Sequence, residues 1–387
     1  MEVLLSGRGD LNDNIRMLRS TGAKYIGRSI CLWGREGELL DRLGAARHQV
    51  PLVHTADPDM ILVACIFEIV GTQVEQVPVS DWAFTALGMP VEQKSFRYAD
   101  IAYAEGPRKN QWGEGGSVPD VSRPETKLWF YFLSNSYIAL GFEAIHWGHV
   151  EIMNENTPDL THWLQVFTLV RAYAEKHARR RMVLCNGHVP TGGLVRNDHL
   201  LLDFHAFPLR VKEVPGKPED GILQVGYLDS IFGRSKGGIT FSGWSCDHLS
   251  YLVELDNYGV SRTPCKAGAG RFWVWGYDEI SWFANQSLEY REQWLNYAWN
   301  WVRTTDSNGY LEMPGSRTET SPLNHHRWYY ANLPSPAVPD GLGDEVAIRD
   351  IGAKKPSPRG RDRPTSPPNR RSTAQNSSRR HLTPQSE

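Results

Sequence analysis

Short apolar runs alternate with segments of helical periodicity along most of this 387-residue chain. The strongest run is Met60–Val70, which is almost wholly apolar, as expected of a strand that is buried on both faces of a sheet. Alternation of such strands with helices predicts βα units around a parallel sheet. At about 100–200 residues per domain, the chain is long enough for one large domain or two ordinary ones.

Eight runs are predicted to be strands: 23–27, 60–70, 96–103, 142–148, 181–186, 200–205, 251–256 and 272–277. They cover about 255 residues, which favours a single (β/α)8 TIM barrel with long βα loops, since such barrels typically have about 250 residues. A doubly wound open sheet is the alternative fold. No predicted strand is followed by the glycine-rich turn that is typical of dinucleotide-binding sheets of that kind.

Helix signals agree with this alternation. Pro124 and Gly141 are placed to begin and end one helix. A second helix is predicted after Thr157, which can cap it and is followed by apolar residues at helical spacing. The same spacing over Asn285–Arg303 predicts the last helix of the barrel.

The carboxyl-terminal end differs in composition from the rest of the chain. The whole chain has 42 basic and 44 acidic residues, whereas 353–387 contains nine Lys or Arg, two acids and six Pro. Because such a segment has almost nothing to bury, we expect a barrel domain over 1–340 and a disordered Pro/Ser/Arg-rich tail over 341–387. The tail is either a basic arm or a non-native end. Since the remaining chain is acidic and has no nucleic-acid-binding motif, we expect no nucleic-acid partner.

Targeting and cofactor signals are few. No apolar run approaches the ~18–20 residues of a membrane span, so we expect no membrane association. The first seven residues have no signal-peptide pattern, which predicts a cytoplasmic protein as the sequence reads, and a periplasmic or secreted one if its start is truncated. The five cysteines form no CxxC pair, and no cofactor is predicted. The sequence carries no signal for an oligomeric state.

Polar and aromatic residues concentrate at the predicted carboxyl ends of the strands. TIM-barrel enzymes have their catalytic residues at that end of the barrel. Ionisable groups beside apolar strands are costly to bury unless they are paired or used in function. The residues predicted to bind substrate there are Glu68, His146, Trp147, His188, Asp203, His205, Asp256, Trp275 and Asp278.

Two glutamates fit the chemistry of glycoside hydrolysis. One carboxyl group must protonate the leaving oxygen, and a second must act as nucleophile or activate water. Glu151 follows the predicted fourth strand and Glu254 ends the seventh, on opposite sides of a barrel mouth. We therefore predict hydrolysis of a glycosidic bond, with Glu151 as the acid and Glu254 as the nucleophile or base. The expected partner is a carbohydrate substrate, whose rings would stack on flat indole faces.

Several phrases of the sequence carry a family resemblance: Ala64–Val70, Glu143–Gly148, Tyr227–Ser230, Gly233–Gly238 and Trp273–Glu279. With them, the chain from about Asn14 to Arg317 resembles the glycoside-hydrolase-like TIM barrels of an uncharacterised bacterial group. In the large clan of retaining barrels, the acid/base follows strand four and the nucleophile ends strand seven. The resemblance therefore implies those roles for Glu151 and Glu254, although Val150 stands where that clan usually has an Asn.

Two other functions fit the same residues. The first is a metal-dependent hydrolase whose zinc ligands would be drawn from His146, His149, His188, Asp203 and His205. Neither an HxH pair after the first strand nor an HExxH motif is present, so no metal site is predicted. The second is a non-catalytic carbohydrate-binding barrel that has lost one acid. Two carboxylates within about 10 Å of each other in one cleft would favour the hydrolase.

Overall fold

A computed structural model describes residues 1–3, 5, 9–259, 261, 263–266, 273–320, 328–354 and 367. Its α-helices are α1 (Leu11–Thr21), α2 (Leu39–Ala56), α3 (Asp81–Ala86), α4 (Tyr98–Ile101), α5 (Pro124–Leu140), α6 (Thr161–His177), α7 (Glu279–Ala284), α8 (Leu288–Thr305) and α9 (Glu345–Gly352). Its strands are β1 (Glu2–Val3), β2 (Tyr25–Ile30), β3 (Ile61–Cys65), β4 (Val70–Gly71), β5 (Gly116–Ser117), β6 (Ala144–His149), β7 (Leu184–His188), β8 (Val195–Arg196), β9 (His199–Leu200), β10 (Phe204–Pro208), β11 (Lys212–Glu213), β12 (Gly221–Ile222), β13 (Gly238–Ile239), β14 (Ser245–Cys246), β15 (Tyr251–Glu254), β16 (Gly309–Leu311), β17 (Pro314–Thr318) and β18 (Trp328–Tyr330).

A curled ten-stranded sheet organises the fold. Neighbouring strands follow the order β16-β15-β10-β7-β6-β3-β2-β1-β17-β18. Every pairing in it is parallel except that of β17 with β18. Helices separate most of the successive parallel strands, so the predicted α/β fold around a mostly parallel sheet is confirmed. The predicted closure of that sheet into an eight-stranded barrel stays a prediction.

Two predicted strands are wrong. Segment 96–103 contains α4, and segment 273–277 is a turn with a single bridge between Val274 and Tyr277. Trp275 and Gly276 have φ values of 48° and 85°, which an extended strand does not allow. Residue 272 lies outside the described residues. The sheet instead uses β1, which is very short, and the segment 309–318, whose Gly and Pro residues hide it from a strand search.

The predicted helices are confirmed with shifted ends. Pro124 is the first residue of α5, and Gly141 ends it with a left-handed φ of 101°. The helix expected after Thr157 begins only at Thr161, because Leu160 has a φ of 62° that a right-handed helix cannot contain. The helix expected over 285–303 is α8. None of the helices in the described residues combines the length and apolar character needed to cross a membrane.

The predicted domain boundary after residue 340 is wrong. Helix α9 belongs to the folded body, where Ile348 and Ile351 are buried in the main core. Asp344, which precedes α9, is buried and pairs with Arg291 of α8 at 2.8 Å, and Glu345 pairs with Arg16 of α1 at 2.7 Å. The helix is short and amphipathic, and its apolar face packs on the body. The prediction missed it because the composition of the whole tail is dominated by polar residues and proline. The tail residues 355–366 and 368–387 lie outside the described residues.

Replacing Ile351 with Ala should lower the free energy of unfolding by about 2–5 kcal/mol, because the side chain is fully buried and its removal leaves a cavity. Asp350→Ala, on the exposed side of the same helix, is the control and should change that free energy by less than about 0.5 kcal/mol. Urea unfolding followed by tryptophan fluorescence measures both. Equal midpoints for Ile351→Ala and the unmodified chain would contradict the packing of α9 on the body.

Candidate functional site

Charged side chains gather where the parallel strands end. The group, termed the carboxyl-edge cluster, consists of Glu68, His149, His188, Arg210, Asp229 and Asp256. Five of them end or follow the parallel strands β3, β6, β7, β10 and β15, and Asp229 comes from the long segment after β12. The side chains of Asp229, Asp256 and His188 are 32%, 19% and 17% exposed. A ligand can therefore reach the cluster from solvent.

Glu68 is fixed against the end of β6. The His149 backbone N–H donates a hydrogen bond to Glu68 Oε2 at 2.9 Å. Gly148 has a φ of 58°, and a Cβ atom at this position would lie 2.1 Å from Glu68 Oε2. A glycine is therefore required for this approach. Burial raises the pKa of Glu68, so the group holds its proton more readily than an exposed glutamate.

The rings of two histidines lie in line with Asp229, and the first belongs to His149, whose backbone binds Glu68. The rings of His149 and His188 lie 4.7 Å apart, and His188 Nε2 lies 3.5 Å from Asp229 Oδ2. Burial, and then the neighbouring His188, lowers the pKa of His149 to about 3, so its ring is neutral at physiological pH. Burial would raise the pKa of Asp229, but His188 and Arg210 together hold it below its ordinary value.

Arg210 joins two carboxylates. Its guanidinium donates to Asp229 through Nε and Nη2, the latter at 3.1 Å, and to Asp256 Oδ2 through Nη1 at 3.1 Å. Burial opposes ionisation of Asp256, yet Arg210, Arg28 and Arg317 hold the pKa of Asp256 below its ordinary value. Asp256 therefore stays ionised.

Glu279 of α7 fixes the backbone that carries these groups. It accepts hydrogen bonds from the N–H of Val211 at 2.7 Å and from the N–H of Asp256 at 3.0 Å, and so joins the ends of β10 and β15. Burial raises the pKa of Glu279 to about 7. This acid therefore acts on the cluster through the strand ends that it holds.

Within the cluster, one carboxyl group is favoured in its protonated form and another in its ionised form. The pKa of Glu68 is raised and the pKa of Asp256 is lowered, and the charge of Asp256 is one of the causes that raise the pKa of Glu68. His188 acts on both groups. Two carboxyl groups with opposite shifts are the arrangement that general acid/base catalysis needs.

Glu254, the predicted nucleophile, lies in an ion-pair network two residues before Asp256. Arg28 donates to both of its oxygens, with Nε 3.1 Å from Oε2, and Arg317 Nη1 lies 3.8 Å from Oε2. Both arginines also pair with Glu2. Only one group of three or more potential metal ligands in the described residues has its ligand atoms within 4.8 Å of one another. It consists of Glu2, Glu254 and Glu312. The two guanidinium groups already supply the positive charge there.

Glu151, the predicted acid, follows β6 and is partly exposed. Its Oε1 accepts a hydrogen bond from the Thr191 N–H at 3.2 Å and another from the Thr191 hydroxyl group. Within the described residues, Glu151 and Glu254 share no hydrogen-bond or ion-pair partner. The structure thus gives the two predicted catalytic acids separate surroundings.

The two predicted substrate-binding tryptophans are buried. Trp147 is 0% exposed and packs against Phe130 and Trp163 on the helix side of the sheet. Trp275 is buried, and its Nε1–H donates to the Asp220 carbonyl oxygen at 3.1 Å. Neither ring presents a face on which a sugar can stack.

Two further predicted residues, Asp203 and Asp278, have structural partners. Asp203 accepts hydrogen bonds from the Cys185 N–H at 2.7 Å and from Arg171 at 2.9 Å. Asp278 caps α7 through the Ser281 N–H at 2.7 Å, and burial raises the pKa of Asp278 to about 6. Both acids thus have structural partners in the fold, and their predicted contact with substrate stays a prediction.

The predicted zinc ligands do not converge in the part of the chain that the structure describes. His149 and His188 are neighbours, whereas His146 Nδ1 lies 2.7 Å from Asn186 Oδ1. His205 is fully buried beside Phe207. Burial lowers the pKa of His146 to about 3 and that of His205 to about 4.

Sequence reasoning missed Arg210 and Asp229. Asp229 lies in the phrase Tyr227–Ser230, which the family resemblance singled out but for which no role was assigned. No family model matches the chain, and no curated protein is significantly similar to it. The chemistry of the site therefore rests on its own geometry.

Replacing Glu279 with Gln should reduce the pH dependence of stability. The pKa of Glu279 is about 7 in the folded protein against an ordinary 4.5, so the folded state binds more protons between these values and its stability falls as pH rises. Glutamine does not titrate. The stability of the variant relative to the unmodified chain should therefore rise by about 1–3 kcal/mol from pH 4.5 to pH 8. Chemical unfolding across this range measures it, and a constant difference would contradict the burial of an ionisable Glu279.

Proposed function

We propose that this protein is a glycoside hydrolase that uses Glu68 and Asp256 as its acid and base. The observation that carries it is that both groups follow parallel strands at one edge of the sheet. There, burial and the charge of Asp256 raise the pKa of Glu68, whereas Arg210, Arg28 and Arg317 lower the pKa of Asp256 despite its burial. Glycoside hydrolysis needs one protonated and one ionised carboxyl group on either side of the scissile bond.

In this mechanism Glu68 protonates the glycosidic oxygen as the bond to the leaving sugar breaks. Asp256 acts as the ionised partner, either as the nucleophile or as the base that activates water. Arg210 and Arg28 favour the ionised form of Asp256, which either role requires. His188 and Asp229 would bind sugar hydroxyl groups, because they are partly exposed and retain hydrogen-bonding capacity.

The pair Glu151 and Glu254 is the second assignment for the same reaction. Arg28 and Arg317 favour an ionised Glu254, as a nucleophile requires. Against this assignment, Arg28 already binds both oxygens of Glu254, and Glu151 has the hydroxyl group of Thr191 as its partner instead of an apolar environment.

We also propose that the curled sheet is a closed (β/α)8 barrel. Strands β16 and β17 are separated in the chain only by Glu312 and Met313. The Glu312 N–H donates to the Val253 carbonyl oxygen, and the Glu2 N–H donates to the Met313 carbonyl oxygen. The segment 309–318 thus bonds to β15 at its start and to β1 further along, as the closing strand of a barrel would. In that barrel, β6 is the fourth strand and β15 the seventh.

Glu68→Gln and Asp256→Asn should each lower kcat/KM by about 100-fold or more, since each removes a proton-transferring or nucleophilic group. Release of sugar from a panel of aryl glycosides and polysaccharides measures it. For the unmodified protein, kcat/KM should fall as pH rises above the raised pKa of Glu68, because a general acid must be protonated.

The matched controls are Glu151→Gln and Glu254→Gln, with unfolding midpoints to confirm that each variant folds. Full activity in Glu68→Gln and Asp256→Asn, together with loss in both controls, would favour the second assignment. The absence of hydrolysis across the whole panel would contradict the proposed function.

A further inference from the structure

A groove of about 340 Å³ lies beside Glu68 at the carboxyl edge of the sheet. Trp33 and Trp112 form its aromatic part, Thr72, Gln73 and Glu114 form its polar part, and four glycines leave its floor open. We infer that this Trp33–Trp112 groove binds one sugar unit of an uncharged oligosaccharide whose neighbouring unit lies at Glu68. This inference rests on the proposed function and extends it to the substrate class.

The two tryptophans form a corner suited to a sugar ring. Their ring centroids lie 5.2 Å apart at an angle of 69°, and Trp33 is 43% exposed. The Trp112 Nε1–H donates to the Glu68 carbonyl oxygen at 2.8 Å, which fixes the indole next to the proposed acid. An indole combines a broad apolar face with a hydrogen-bonding edge, and sugar rings present both apolar C–H faces and hydroxyl groups.

The groove is joined to the catalytic groups through the end of β3. Phe67, which precedes Glu68, packs against Trp33 at 5.3 Å and against His146 at 5.7 Å. Ile69, which follows Glu68, lines the groove. Since Ile69 and Trp112 line the groove and Trp112 binds the Glu68 carbonyl oxygen, the groove lies against the backbone of Glu68. This proximity favours a linked saccharide over a separate small ligand.

Gly71, which lines the groove, is held from behind by the buried carboxyl group of Glu36. The Gly71 N–H donates to Glu36 Oε1 at 2.8 Å, whereas Glu36 Oε2 has no hydrogen-bond partner in the described residues. A Cβ atom on Gly71 would meet Glu36 Oε2 at 2.8 Å, so this oxygen lies directly against the glycine face. Glu36 is only 4% exposed and does not line the groove, so its part is to fix the Gly71 backbone through this hydrogen bond.

The charges of the groove restrict the ligand. Glu114 is the one charged residue among those that line it, and none of the lining residues is basic. An anionic sugar would meet repulsion there without a compensating cation. Uncharged units with several hydroxyl donors fit the carboxyl and amide acceptors that the groove offers.

Trp33→Ala tests the inference in the full chain, in combination with Asp256→Asn so that bound saccharides stay intact. Calorimetric titration with cello-, xylo-, manno- and chito-oligosaccharides of one to six units measures affinity against length. We expect affinity to rise with length for at least one series and Trp33→Ala to weaken the longer members about tenfold, with the single sugar little affected. Trp244→Ala, which removes a somewhat more exposed indole outside the groove, should leave every affinity unchanged.

Equal affinities in Trp33→Ala and its parent at every length, or no binding by any series, would overturn the inference. The two proposals fail separately. If the protein hydrolyses oligosaccharides and Trp33→Ala does not alter how the rate depends on their length, the proposed function stands and the proposed groove site is wrong. If binding rises with length and Trp33→Ala weakens it, but the chain that retains Asp256 hydrolyses nothing, the groove site stands and the proposed function is wrong.

Discussion

The double ion pair of Arg210 determines how this site is built. A nearly buried guanidinium is costly to desolvate. Here the ion pairs with Asp229 on one side and Asp256 on the other offset that cost. Loss of the arginine would leave two carboxylates close together without their cation. Because Arg210 follows β10, Asp256 follows β15 and Asp229 comes from a long loop, one side chain fixes three parts of the chain at the carboxyl edge of the sheet.

A second layer of paired charges lies close to the first. Arg28 and Arg317 pair with Glu2 and Glu254 and act on Asp256 through their charge, and so place two fixed cations where an apolar core would be expected. Buried ion pairs of this kind add little net stability, since desolvation offsets their attraction. Their effect here is on protonation, because they keep Asp256 ionised beside Glu68, which burial tends to protonate. The difference in pKa between these two acids is the property from which the proposed chemistry follows.

The sequence predicted those helices and strands whose ends or apolar pattern can be recognised within the element itself. The Pro and Gly at the ends of α5 and the apolar run of β3 are such cases. The segment 309–318 was missed, because its Gly and Pro residues resemble a turn and its strand pairing comes from distant β15 and β1. Helix α9 was missed for a similar reason, since its short apolar face precedes a long polar tail.

The residues of the candidate site were likewise predictable only where a local pattern marks them. Glu68, His188 and Asp256 could be placed at the carboxyl edge from the sequence, because they end or follow apolar strands, where charged groups are unusual. Trp147 was misassigned, because residues alternate along β6 and its ring points to the helices while His146 points the other way. Arg210 and Asp229 gain their importance from each other, and their mutual contact spans 19 residues that no local pattern connects.

The most direct test of this account is a carboxyl carbon NMR titration of the full chain, with Glu68→Gln and Asp256→Asn used to assign the two resonances. The account predicts that Glu68 titrates above the ordinary pKa of a glutamate and Asp256 below that of an aspartate, and that Glu68 titrates at lower pH once Asp256 is replaced by Asn. Titration of both groups at their ordinary values, with no effect of either substitution on the other group, would contradict it.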